Sequence, residues 1–78
     1  MVKEIAIEVL VPHPETCNYM TKEGLLKLRR NIEFSGLYEP LIVRPYAQEP
    51  GKYQIIHGHN RLRVLKAMGH KTIKCVQG

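Results

Sequence analysis

The sequence is poor in cysteine, in aromatic residues and in long apolar runs, and each shortage closes off a class of function. Its two cysteines, Cys17 and Cys75, stand far apart, which supports neither a disulfide framework nor a Cys-based zinc site. With no tryptophan, one phenylalanine and four tyrosines, a stacking platform for single-stranded nucleic acid is not favoured. No apolar run approaches the ~20 residues of a membrane span. The opening MVKEIAIEVL alternates charged with apolar residues, unlike a signal peptide. These absences lead us to expect a cytoplasmic protein with reduced thiols and no membrane partner.

What is present is a basic chain of 78 residues with a net charge of +5. That length allows one domain over residues 1–78, and a domain of this size buries only ~60% of the surface its unfolded chain exposes. Such a domain leans on a ligand, a dimer partner or a neighbouring domain. The positive charge favours polyanionic partners: nucleotide phosphates, nucleic acid or an acidic protein.

The chain reads as alternating strands and helices. Residues 5–11 (IAIEVLV) alternate and are rich in β-branched side chains, which predicts a strand. Pro12 and Pro14 end it, and residues 15–20 read as a loop. Thr21 suits a helix cap, Glu23 suits the positive first turn, and Leu25, Leu28 and Ile32 form one apolar face. Gly36 is placed to end that helix with φ > 0. Leu41-Ile42-Val43-Arg44 and residues 53–57 (YQIIH) predict two more strands around a Pro- and Gly-containing loop. A second helix follows Gly58, capped by Asn60 or His59, and ends at Gly69; residues 72–76 (TIKCV) predict a last strand, with Cys75 in the core. The order β-α-β-β-α-β predicts an α+β fold: one small mixed sheet with two to three helices, ferredoxin-like packing being the generic rival.

The most informative segment is Ile55-Ile56-His57-Gly58-His59-Asn60-Arg61-Leu62-Arg63. A strand delivers the chain to a glycine and a helix starts at once. The first N–H groups of a helix have no intrahelical partner, and together with the helix dipole they form an anion site. Glycine permits close backbone approach and φ > 0. Arg61 falls in the first turn and can fork onto phosphate oxygens, while His59 and Asn60 add donors. Arg63 points to another side, toward a second phosphate or a nucleic-acid backbone. His57 is expected to face the phosphate from the strand end or to be structural.

His57 and His59, two apart, also suggest a metal pair, with His13 and His70 as further ligands. The carboxylates are all glutamates, at positions 4, 8, 15, 23, 33, 39 and 49, and none lies in the turn, so no metal site is expected and a metal-dependent nuclease is disfavoured. No nucleophile stands beside a base, since Cys17 has only His13 for company. The turn at 36–40 (GLYEP) can wall the ligand pocket with its backbone and with Glu39, the best available catalytic carboxylate.

These motifs in this order resemble the ParB N-terminal (ParB-like nuclease) domain of the ParB/sulfiredoxin superfamily. The likeness runs over about residues 5 to 77: the L-x-x-L-x-x-x-I helix, Gly36-x-x-x-Pro40, Leu41-Ile42-Val43-Arg44, and Tyr53-x-Ile55-Ile56-x-Gly58-x-x-Arg61-x-Arg63. The resemblance implies a turn, typically G-E-R-R-x-R, that binds the triphosphate of a cytidine nucleotide. Gly58, Arg61 and Arg63 fall on matching positions, and Gly36 and Pro40 fall on the segment bordering the base. The implied cofactor is a nucleoside triphosphate, CTP or ATP, with Mg²⁺. The implied partners are DNA, directly or through another domain or subunit, and a second copy in a homodimer, in chromosome or plasmid partition or transcription regulation.

The departures bear on catalysis. His59 and Asn60 replace the family's Glu and first Arg, and Pro12 to Asn18 offers no match to the early N-P-x-Q-P-R segment. The sequence ends before the family's second phosphate motif, and it has no helix-turn-helix. Sulfiredoxin places its catalytic Cys where His59 stands, which excludes that activity. The ADP-dependent free-serine kinases have an acid where His57 stands, which removes their carboxylate. Binding with weak or no hydrolysis is therefore expected. A phosphotransferase or nuclease on the same cradle, and a basic DNA-binding module without nucleotide, are the alternatives.

Overall fold

The alternating segment at 5–11 forms two short strands rather than one. In the computed structural model, which describes residues 1–13 and 20–78, it divides into β1 (Lys3–Ala6), a 3-10 turn (Ile7–Val9) and β2 (Leu10–Val11). The expected loop at 15–20, Cys17 within it, lies outside the described residues except for Met20. The remaining elements are α1 (Lys22–Ser35), β3 (Leu41–Pro45), β4 (Tyr53–His57), α2 (His59–Ala67) and β5 (Thr72–Gln77).

The strands form a five-stranded mixed sheet in the order β1-β5-β3-β4-β2. β1 runs antiparallel to β5 and β3 antiparallel to β4, while β5 with β3 and β4 with β2 are parallel. This explains the split. β1 and β2 pair on opposite edges, and no single straight strand can pair with both. Five strands give four spacings, so flat edges at ~4.8 Å per spacing would lie about 19 Å apart. The four steps from Ala6 to Leu10 reach at most about 14 Å. The sheet therefore curls until the 3-10 turn can bridge its edges, and the Ile7 N–H is held by the Lys71 carbonyl at 2.9 Å.

The core follows the period-2 pattern of the strands. Leu41 and Val43 of β3, Ile55 of β4, and Ile73 and Cys75 of β5 are buried, joined by Ile32 of α1 and Val64 and Leu65 of α2. Leu25 and Leu28 pack against this cluster half-buried, as the apolar face of α1 requires. Thr21 caps α1 by accepting the Gly24 N–H at 3.1 Å. Gly36 closes α1 at φ 71°, its N–H donating to the Ile32 carbonyl. Among the described residues, no helix is long and apolar enough to cross a membrane.

Candidate functional site

The strand–glycine–helix turn lies where β4 passes into α2. Gly58 stands at φ 112° and ψ 20°, in the left-handed region, and is itself the residue that starts the helix. Neither Asn60 nor His59 caps α2, contrary to the sequence-based expectation: His59 is already the first helical residue, and no side-chain cap closes the N-terminus. The first-turn N–H groups of this 9-residue helix are thus left for an external acceptor. A cavity of about 380 Å³ opens beside them, lined by His57, Gly58, His59, Asn60 and Arg61 on one side and by Leu37, Tyr38 and Glu39 on the other. The volume falls in the usual range for small-molecule sites.

Arg61 is fixed in this cavity. Its Nη1 donates to the Glu39 carbonyl and to Glu39 Oε2, both at 3.2 Å. The Arg61 side chain is only 13% exposed, against 88% for Glu39. The expected meeting of the 36–40 turn with the glycine turn therefore runs through Glu39. Gly36 and Pro40 do not line the cavity; they shape the backbone that carries Glu39. Ser35 helps to build that turn, its Oγ donating to the Asn31 carbonyl at 2.8 Å and accepting the Leu37 N–H at 3.1 Å.

His59 does not present its ring as a donor. It is 6% exposed, and its Nε2 accepts the backbone N–H of His13 at 3.0 Å. A ring nitrogen that accepts is unprotonated, so the imidazole is the neutral Nδ1–H tautomer. Burial first, then the positive charge of Arg63 and the proximity of His13 and His57, hold its pKa below the ordinary histidine value. What His59 offers a ligand is its backbone N–H. His57, by contrast, is exposed at the cavity rim. Among the described residues, no group of three or more His, Cys, Asp or Glu side chains is arranged to hold a metal ion.

Arg63 is separated from Arg61. Its Nη1 donates to Asn60 Oδ1 at 2.8 Å, and it lines the apolar groove between α1 and α2 rather than the cavity. Asn60 borders the cavity but gives its carbonyl oxygen to Arg63. Tyr38 was not anticipated from the sequence. It anchors the 36–40 turn by accepting the Lys74 N–H at 3.1 Å, and its ring meets His70 edge-on at 6.3 Å. An aromatic residue inside the G-x-x-x-P turn was the available signal.

The sequence and fold are similar to those of several known proteins. The chain is 33% identical over 72 residues to the chromosome-partitioning protein ParB of Caulobacter vibrioides, covering 91% of this chain and 24% of that protein. It thus spans about a quarter of that relative's length. The C-terminally truncated ParB from Caulobacter crescentus, solved in complex with CTP-gamma-S, superposes with a TM-score of 0.86 at 30% identity, over 100% of this chain and 44% of that one. The same protein complexed to the centromeric parS site superposes at 0.80 with 28% identity, over 97% of this chain and 38% of that one. Sulfiredoxin from Arabidopsis thaliana shares the fold, with a TM-score of 0.81 at 22% identity over 100% of this chain and 84% of that one. The family model for the ParB N-terminal domain matches residues 1–77, and the chain belongs to that family.

Proposed function

We propose that this chain is the nucleotide-phosphate-binding domain of a ParB-type DNA-partition protein, and that the N-terminus of α2 with Arg61 holds the polyphosphate of a nucleoside triphosphate. The observation that carries this reading is convergence. A largely buried arginine side chain and the uncapped helix N-terminus meet at one cavity beside Gly58. The donor set is the chemistry a phosphate needs: a planar fork, backbone N–H groups and a positive dipole end. CTP is the first ligand to try, because the ParB from Caulobacter crescentus was solved with CTP-gamma-S.

We read the site as one of binding rather than turnover. Among the described residues, Glu39 is the only carboxylate lining the cavity, and it is ion-paired to Arg61 instead of being held as a free base. DNA engagement, through the parts of a longer protein or through a second copy, belongs to the same proposal. It is supported by the net charge of +5 and by the parS complex of that relative.

The test is calorimetric titration of the chain with CTP, ATP, GTP and ADP, with and without Mg²⁺. Arg61→Ala should abolish measurable phosphate affinity while the far-ultraviolet circular dichroism stays that of the native chain. Nucleotide affinity unchanged in Arg61→Ala overturns the assignment. Salt-sensitive duplex DNA binding with no nucleotide response instead favours a plain basic DNA-binding module.

A further inference from the structure

We propose that Glu39 is a built-in competitor for the phosphate site, occupying the donor edge of Arg61 until a ligand displaces it; the proposal rests on the nucleotide-phosphate reading above. The two partners differ in freedom. Arg61 is 13% exposed and Glu39 is 88% exposed. Arg61 is also held by the backbone: its Nη1 is bonded to the carbonyl of Glu39 at 3.2 Å. Its Nη2 lies 3.2 Å from where a Cβ on Gly58 would stand, so the glycine leaves the guanidinium the room it occupies. The Glu39 carboxylate, held on Nη1 at 3.2 Å, is the partner that can rotate into water.

A guanidinium presents the same planar donors to a carboxylate as to a phosphate. An incoming phosphate oxygen and Glu39 Oε2 thus compete for one nitrogen. The backbone bond to the Glu39 carbonyl survives the exchange, so Arg61 keeps its position whichever acid it holds. The displaced carboxylate stays near the site and repels the phosphates, which opposes binding further. Removing the charge of Glu39 while keeping its shape should therefore tighten phosphate binding.

The experiment titrates the wild-type chain, Glu39→Gln, Arg61→Ala and the control Glu33→Gln with CTP at one fixed salt concentration, in EDTA and in Mg²⁺. Glu33 carries the same charge but pairs with Arg29 on the surface of α1, away from the cavity. Glu39→Gln is expected to tighten CTP by about two- to fivefold, the range an exposed ion pair supports. Glu33→Gln is expected to leave the affinity near that of the wild type. In ¹⁵N spectra of the ligand-free chain, the Arg61 side-chain resonance should move in Glu39→Gln and stay in Glu33→Gln. Unchanged or weaker CTP binding in Glu39→Gln, in either buffer, overturns the proposal while leaving the phosphate site standing, provided Arg61→Ala still abolishes binding. Equal tightening in Glu33→Gln overturns it as well, because net charge alone would then be responsible. Undiminished binding in Arg61→Ala removes the phosphate-site reading itself.

Discussion

The backbone N–H of His13 donates to Nε2 of His59 at 3.0 Å, across 46 positions of sequence. This bond ties the segment after β2 to the first turn of α2, and so to the wall of the cavity. It exists only while His59 is neutral, because a protonated imidazole has no acceptor nitrogen.

A pH dependence follows with a definite sign. The folded-state pKa of His59 is lowered from 6.5, chiefly by burial. Between the lowered value and 6.5 the unfolded chain binds more protons than the folded one, so stability rises with pH there. The contribution is complete above the unfolded pKa and is lost as pH falls below it toward the folded value. Urea unfolding at about pH 7.5 and about pH 5.5 should give a lower midpoint in acid. His59→Gln, whose amide oxygen can still accept the His13 N–H, should show a shallower fall. An equal fall in wild type and variant would remove His59 as the cause.

The second prediction separates backbone strain from collision. Gly58 and Gly51 both have positive φ, 112° and 89°. A Cβ on Gly58 would stand 2.8 Å from Leu41 Cγ, whereas one on Gly51 would meet nothing within 4 Å. Leu41 is fully buried and has nowhere to retreat. Gly51→Ala should cost about 1 kcal/mol, from strain alone. Gly58→Ala should cost about 2–4 kcal/mol, from strain plus overpacking. Similar urea midpoints for the two variants would contradict the collision.

These residues also mark what the sequence made legible. The glycine turn and Arg61 were readable because the signal is local: an apolar strand, a glycine, then a helix with arginine in its first turn. The α1 boundaries were readable for the same reason, through Thr21 and Gly36. The break inside 5–11 was not, since IAIEVLV holds no Gly or Pro and the split is imposed by pairing with β5 on one edge and β4 on the other. The inward turn of His59 was hidden as well, because its partner lies 46 residues away. Sequence spacing alone also could not show that Glu39, rather than Gly36 or Pro40, would reach Arg61.

The third prediction concerns Tyr38. Its hydroxyl accepts the Lys74 N–H at 3.1 Å and ties the cavity wall to β5. Tyr38→Phe keeps the ring against His70 and deletes the acceptor. The expected cost is about 1 kcal/mol or less, because the exposed N–H can turn to water. Chemical denaturation measures it, and a loss well above that range would mean that the hydroxyl holds more than this one bond.

The fourth prediction uses Cys75, which is 1% exposed in β5. Burial pushes its thiol pKa up to about 11, so at neutral pH almost no thiolate is available to react. In a Cys17→Ser background, native protein should resist iodoacetamide at about pH 8 and react once urea unfolds it. Rapid labelling of the native chain would show that the β5 core opens far more readily than its packing suggests.

The last prediction divides the two arginines of α2, which stand two apart in the sequence but line different surfaces. Arg61 lines the cavity, whereas Arg63 lines the groove between the helices and bonds Asn60 Oδ1 at 2.8 Å. Residues two apart on a helix do not face the same way. Arg61→Ala should remove CTP affinity at a modest cost in stability of about 1–2 kcal/mol, since its carboxylate partner is exposed but its bond to the Glu39 carbonyl and its largely buried side chain are lost as well. Arg63→Ala should do the reverse, lowering the urea midpoint while leaving most of the CTP affinity in place. The charge-assisted bond to Asn60 puts that cost at about 1–3 kcal/mol. Calorimetry and denaturation on the two variants side by side decide it. Equal loss of CTP affinity in both would place Arg63 on the phosphates after all, and would require it to leave Asn60 when the nucleotide binds.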